Sequence, residues 1–162
     1  MSEYTADFCD THPDKVAILG PGFTHYGGTR LCQGEIVTVR LDRNNSELIT
    51  LLRDQDGQGK VVVVDSDAQY YAIVGEALMQ FAQKNGYAGI LLNGYVRDTD
   101  QIKDIPVALY ARGTCPRKYI PVTEGEQGVD VSFAGVAFRP GDYVYMDADG
   151  AIVTAQALSG SE

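Results

Sequence analysis

Lys60-Val61-Val62-Val63-Val64-Asp65 restricts the fold more than any other segment. Four consecutive β-branched residues between charged ends leave no polar face, so the run suits a strand buried on both sides. Helical cover comes from the next segment. Gly75 to Asn85 reads as a helix whose apolar stripe is Ala77, Leu78, Phe81 and Ala82, with Gly86 just past its end. Ala88 to Leu92 is the next strand, and Gly94-Tyr95-Val96 leads off its carboxyl end.

The flanks extend this unit. Thr5 to Cys9 reads as a short helix capped by Thr5, and Gly27-Gly28 as a turn or a close backbone approach. Ile36 to Leu41 reads as a strand. Asn45 or Ser46 caps a helix through Arg53 that buries Leu48, Leu51 and Leu52, and Gly57-Gln58-Gly59 ends it. A short helix from Thr99 to about Lys103 precedes a strand near Val107 to Ala111. After Pro121 the pattern turns to short strands, with turns at Arg139-Pro140-Gly141-Asp142 and Asp147-Ala148-Asp149-Gly150 flanking Tyr143–Met146 and Ala151–Thr154. The sum is an α/β fold over one domain, residues 1–162, with a central strand–helix–strand unit joined to a mostly antiparallel portion.

Charge and composition then narrow the function. A net charge of -9 argues against direct nucleic-acid binding and suits a basic protein partner. Cys9, Cys32 and Cys115 form no close pair, which argues against a disulfide framework or thiolate metal site. With only His12 and His25 beside them, a metal would be held by oxygen, favouring Mg2+ or Mn2+ over zinc. No apolar run approaches the ~20 residues of a membrane span. The amino terminus lacks a signal-peptide pattern, so a cytoplasmic location is expected and the Asn44-Asn45-Ser46 sequon is expected to stay unmodified.

Four places carry candidate chemistry. Arg97-Asp98 lies after a strand's carboxyl end, where ligands of α/β units bind, and twenty residues separate it from Glu76. An arginine can bind the oxygens of a keto acid and a carboxylate can hold a hard cation; the plainer reading is a solvated ion pair. Gly75-Glu76-Ala77-Leu78 opens a helix, whose free N–H groups can receive a carboxylate, although acids also favour a first helical turn for their own stability. Asp65-Ser66-Asp67 is a competing oxygen cluster or simply a turn. Arg112, Arg117 and Lys118 form the one basic cluster, either an anion site or a solvated loop. Gly57-Gln58-Gly59-Lys60 precedes its strand and lacks a Ser or Thr after the lysine, so it is not a phosphate loop.

The chain resembles the RraA-like family, which includes regulators of ribonuclease E and metal-dependent 4-hydroxy-4-methyl-2-oxoglutarate aldolases. The likeness covers about residues 5 to 155. It rests on Thr5-Ala6-Asp7-Phe8-Cys9-Asp10, Tyr26-Gly27-Gly28, Gly59 to Asp65, Gly75-Glu76-Ala77-Leu78, Asn85-Gly86-Tyr87-Ala88-Gly89, Gly94-Tyr95-Val96-Arg97-Asp98 and Pro140 to Tyr145. The resemblance implies a β/β/α swivelling sandwich with a mixed sheet, assembled as a homotrimer with sites near subunit interfaces. It also implies roles. Arg97 binds the keto and carboxylate oxygens of a pyruvoyl group. Asp98 binds the divalent metal, directly or through water. The backbone of Gly75, Glu76, Ala77 and Leu78 receives the substrate carboxylate, and Glu76 orients a metal-bound water. The chain departs from the family at Ser66-Asp67-Ala68-Gln69-Tyr70-Tyr71, where several glycines and a basic residue are usual.

The expected activity is a carbon–carbon lyase on small 2-oxo acids, either as an oxaloacetate decarboxylase or as an aldolase. The alternative is a non-catalytic regulator that binds ribonuclease E through its acidic surface. A methyltransferase role, once attached to relatives, is set aside for lack of a glycine-rich loop suited to S-adenosylmethionine.

Overall fold

Val61, Val62, Val63 and Val64 have no solvent exposure, and both faces of their strand are covered. The structure, a computed structural model, describes residues 4–119 and 123–158. In chain order these form α1 (Thr5–Thr11), β1 (Ala17–Ile18), β2 (Thr24–His25), β3 (Cys32–Arg40), α2 (Ser46–Asp54), β4 (Lys60–Asp65) and β5 (Ala72–Val74). Next come α3 (Glu76–Lys84), β6 (Gly89–Val96), α4 (Thr99–Ile102) and β7 (Ala108–Thr114). The last elements are β8 (Glu126–Gln127), β9 (Val131–Phe133), β10 (Val136–Phe138), β11 (Tyr143–Asp147) and β12 (Gly150–Thr154).

Among the described residues the main sheet has ten strands, running β1-β12-β11-β3-β4-β6-β7-β2, with β5 added to β6 and β8 to β3. The strands at its centre, β3, β4, β6 and β7, are parallel, and the outer ones pair antiparallel. Alternation along β4 explains the layers. Val62 and Val64 pack with Leu48, Leu51 and Leu52 of α2 and with Leu78 and Met79 of α3. Val61 and Val63 pack with Phe133, Val136 and Phe138 of the β9–β10 hairpin. Hairpin, sheet and helices therefore stack as β/β/α. Each buried valine contributes about 1.5–3 kcal/mol of transfer energy, so the run anchors both layers.

Several sequence expectations need correction. β3 begins at Cys32, because Cys32 to Glu35 pair with β11. Helix α1 runs on to Thr11, and Thr5 does not cap it; its hydroxyl donates to Asp147. In α3 the buried face is Leu78, Met79 and Ala82, with Ala77 exposed, because the helix lies on the sheet rotated from the expected stripe. Gly94 to Val96 remain strand, since β5 gives them a partner. Gly27 and Gly28 lie directly against the backbone at Val107 and Ile105, as a close approach requires. Asn44 is fully buried. Pro121 itself lies outside the described residues, but beyond it the chain turns to short strands, β8 to β12, as expected. The three cysteines are free, and no helix among the described residues is long and apolar enough to cross a membrane.

Asp147 holds the amino-terminal helix to the sheet. Its Oδ2 accepts the Thr5 N–H at 2.7 Å, and its Oδ1 accepts the Thr5 hydroxyl at 2.8 Å and the Asp149 N–H at 3.0 Å. Asp147→Ala removes both acceptor oxygens, and with them all three bonds, from a buried position. The expected cost is about 2–3 kcal/mol, a melting point lowered by roughly 5–10 °C by circular dichroism. An unchanged melting point would show that α1 is held by other contacts.

Candidate functional site

The site is built where β5, α3 and the end of β6 converge. β5 runs parallel to β6, and Gly75 comes directly after it as the N-cap of α3. On the neighbouring strand the Arg97 N–H donates to the Val74 carbonyl at 2.9 Å, carrying the ladder one residue beyond β6. The chain then turns sharply at Asp98, which adopts a left-handed conformation with φ 61° and caps α4. Its carbonyl accepts the N–H groups of Gln101 and Ile102.

That turn brings the Asp98 carboxylate onto the start of α3. Its Oδ2 accepts the Glu76 N–H at 2.9 Å, satisfying one of the amides a helix leaves without an internal partner. Gly75 is required by this approach, not by its own dihedrals, since its φ is -139°. A Cβ there would lie 2.6 Å from Asp98 Oδ2 and 3.3 Å from Arg97 Cγ. The amides of Ala77 and Leu78 also lack an intrahelical acceptor by helix geometry.

These residues line a cleft of about 500 Å3. Gly75, Glu76, Ala77, Leu78, Arg97 and Asp98, all selected from sequence, meet there. Arg97 and Asp98 do not form the surface ion pair that an Arg-Asp dipeptide suggests. Among the described residues the Arg97 guanidinium has no ion-pair or hydrogen-bond partner, and neither has the Glu76 carboxylate. Asp98 keeps one oxygen uncommitted. The cleft therefore presents an open guanidinium, two carboxylates and a helix amino terminus within one concave surface.

Sequence reasoning names Lys118 only as part of a separate basic cluster and does not assign the other wall to this cleft. Asn45, Ser46, Lys118 and Tyr119 also line the cleft. Of the two caps the sequence offers for α2, Asn45 takes the N-cap position, but its side-chain amide donates to the Ile73 carbonyl at 2.9 Å instead of capping the helix, tying the start of α2 to β5. Lys118 stands exposed at the rim. Tyr119 stacks on Tyr71 with ring centroids 5.0 Å apart, and Arg117 lies over the Tyr119 ring, 5.0 Å from its centre. Burial pushes the Tyr71 hydroxyl up to about 12, so it stays protonated at neutral pH and donates to the Asn44 carbonyl. The basic cluster expected at Arg112, Arg117 and Lys118 is thus divided three ways, because Arg112 belongs to β7 and bonds across the sheet to Asn93.

The competing acidic segment is a turn. Asp65 Oδ1 accepts the Asp67 N–H at 2.8 Å, and no group of three His, Cys, Asp or Glu side chains suited to a metal occurs among the described residues. A second cleft, of about 340 Å3, lies between residues 19–23 and the β11–β12 turn; Asp147, its buried carboxylate, is already taken up by Thr5 and Asp149.

The oxygen donors of the Gly75–Asp98 cleft suit a hard divalent cation. Mg2+ and Mn2+ retain several waters and use few protein carboxylates, so one free oxygen of Asp98, completed by substrate oxygens and water, is a sufficient protein contribution.

Comparison with known proteins agrees with this architecture. The model of the RraA-like family, described as Aldolase/RraA, matches residues 5–153. A Pseudomonas paraeruginosa protein, provisionally named 4-hydroxy-4-methyl-2-oxoglutarate aldolase, is 40% identical over 160 residues, covering 98% of each chain. A Hahella chejuensis protein of the same provisional name is 39% identical, covering 98% of this chain and 97% of its own. Among solved structures, one from Geobacillus kaustophilus named S-adenosylmethionine: 2-dimethylmenaquinone methyltransferase superposes with a TM-score of 0.93 at 36% identity, covering 96% and 97% of the two chains. The RNA-processing inhibitor RraA from Thermus superposes with a TM-score of 0.92 at 30% identity, covering 99% of this chain and 97% of that one.

Proposed function

The chain belongs to the RraA-like (Aldolase/RraA) family, and from that membership and the cleft's geometry we propose that it is a divalent-metal-dependent carbon–carbon lyase acting on 2-oxo acids. The observation that carries this reading is the unpaired Arg97 guanidinium beside an Asp98 carboxylate that Glu76 N–H holds in place. An arginine without a carboxylate partner, half-buried in a chain of net charge -9, is placed for an anionic ligand.

In this mechanism the Ala77 and Leu78 amides at the start of α3 receive the substrate's 1-carboxylate, the Glu76 N–H being already held by Asp98. Arg97 donates to the 2-oxo oxygen, where negative charge develops as the bond between C3 and C4 breaks. Its hydrogen bond is stronger in the transition state than in the ground state, which is what accelerates the step. A bound Mg2+ or Mn2+, held by Asp98, would supply Lewis-acid stabilisation of the same oxygen. For oxaloacetate the bond's electrons flow to C3 as carbon dioxide leaves, and the pyruvate enolate takes a proton through a water beside Glu76. Aldol cleavage of a 4-hydroxy-2-oxo acid adds one demand: the C4 hydroxyl must lose its proton, and Glu76 is the carboxylate in the cleft able to accept it through water. Lys118 at the rim adds a second positive charge, suited to the distal carboxylate of a dicarboxylic substrate.

The test is pyruvate release from oxaloacetate with Mg2+, with Mn2+ and with excess chelator, each against a protein-free control containing the same metal. The expected result is turnover above the control, lost with chelator and restored by Mn2+. No excess over the control would overturn the reading and favour a non-catalytic role. The likeness to the Thermus RNA-processing inhibitor and the -9 charge support that second reading, in which the acidic surface captures a basic segment of a ribonuclease.

A further inference from the structure

β6 changes neighbours at Asn93 and Gly94. Its last pairing with β4 is Asp65 to Asn93, and its first with β5 is Ala72 to Tyr95. Against β7 the register runs from Leu92–Ala111 to Tyr95–Gly113, so two residues of β6 stand opposite Arg112 alone. This is a β-bulge, a device that bends a strand and re-aims its continuation. The continuation here carries Val96, Arg97 and Asp98.

Asn93, only 6% exposed, is the knot that holds the bulge. Its carbonyl accepts three hydrogen bonds: from Ser66 N–H at 3.3 Å, Ser66 Oγ at 2.9 Å and Ala68 N–H at 3.2 Å. Its side chain joins two opposite charges. The amide nitrogen donates to Asp65 Oδ1 at 3.0 Å, and the amide oxygen accepts from Arg112 Nε at 2.9 Å. Arg112 is pinned in turn, donating to the Pro21 carbonyl at 3.3 Å with its guanidinium 4.1 Å from the Phe23 ring centre. A neutral amide with one donor and one acceptor side is the side chain that can bridge a carboxylate and a guanidinium at once.

The loop that grips this carbonyl is strained. Asp67 and Ala68 both have positive φ, at 56° and 53°, in a turn closed by the Gln69 N–H on the Ser66 carbonyl at 3.1 Å. Such conformations cost on the order of 1 kcal/mol or more each for residues other than glycine, and persist where surrounding bonds over-determine them. The over-determining bonds converge on Asn93 and Asp65.

We infer that Asn93 is a positioning residue for the proposed lyase site: the Asp65–Asn93–Arg112 bridge sets the bulge that places Arg97 and Asp98 against Gly75 and Glu76. The inference rests on the proposed function for its importance, but its geometry is testable without turnover. The experiment is single-amide hydrogen exchange on Asn93→Ala and on Arg112→Leu, with steady-state kinetics of both. The expected result is exchange accelerated about tenfold or more at the Arg97 and Glu76 amides, with Val61–Val64 unchanged. Pyruvate release falls at least tenfold in kcat with a smaller change in KM. The Arg112 variant, farther from the knot, shows the same pattern more weakly and decides the matter if Asn93→Ala does not fold. Unchanged exchange at Arg97 and Glu76, or acceleration spread equally over Val61–Val64, would overturn the inference by making the bridge a general fold support. If exchange responds as expected while the wild type releases no pyruvate, the positioning role stands and the lyase reading fails.

Discussion

Asp98→Asn is expected to lower metal-dependent pyruvate release by about a thousandfold while leaving the melting point within about 2 °C of the wild type. The two halves of that result come from the two oxygens of one carboxylate. Oδ2 accepts the Glu76 N–H at 2.9 Å, and the asparagine amide oxygen can accept the same bond. Asparagine is also, after glycine, among the residues most at ease in the left-handed region, so the φ of 61° at this position is retained without added strain. The fold therefore loses little. The other oxygen, uncommitted in the cleft, becomes an NH2 group that is a donor and cannot ligate a cation. Losing the metal's stabilisation of developing charge costs several kcal/mol, and about 4 kcal/mol corresponds to three decades of rate. Mn2+ titration calorimetry separates the two contributions. Full turnover with wild-type Mn2+ affinity would remove Asp98 from the metal's ligands. Asp98→Ala is the informative contrast, because it loses the bond to Glu76 and places alanine at positive φ, so both activity and stability fall.

The same residues show how far a sequence can be read. Val61 to Val64 and the helix after Gly75 announce themselves because each carries an unbroken local signal, an apolar run in one and a 3.6-residue period in the other. β5 does not. Ala72-Ile73-Val74 is three residues long, and its pairing with β6 depends on a bulge that no periodicity records. Without β5, Gly94 to Val96 read as a lead-off when they are strand. The acid–Arg–Asp spacing marks Glu76, Arg97 and Asp98 as candidates, but only three-dimensional structure separates a solvated ion pair from an arginine whose neighbouring acid is engaged elsewhere. Lys118 and Tyr119 were illegible as cleft residues for a different reason. They arrive from a segment beyond β7, and their convergence with α2 and α3 is set by packing at long range. The glycine at 75 is intermediate: its presence is plain in the sequence, yet its reason, room for Asp98 Oδ2, depends on a contact 23 residues away.

Arg97→Ala carries the other large expected effect, and it separates the catalytic reading from the regulatory one. In the free protein the guanidinium has no partner among the described residues, so its removal leaves no buried charge unpaired and the melting point should hold. The loss appears only with substrate present. Removing one charge-stabilising donor of this kind typically costs about 10²–10³ in kcat, and the lost contact with the ground-state keto acid raises KM as well. Lysine should not restore the rate, because a single ammonium cannot present the planar fork that meets two oxygens at once. A ribonuclease-binding protein would behave in the opposite way. Its affinity would come from an acidic surface, fall with modest salt and be indifferent to, or slightly strengthened by, the loss of one positive side chain. Steady-state pyruvate release and salt-dependent partner binding, measured on the same Arg97→Ala preparation, therefore give opposite signatures. Turnover lost with binding intact assigns Arg97 to catalysis. Turnover at the wild-type level would remove it from the site, and with it the unpaired guanidinium on which the lyase reading rests.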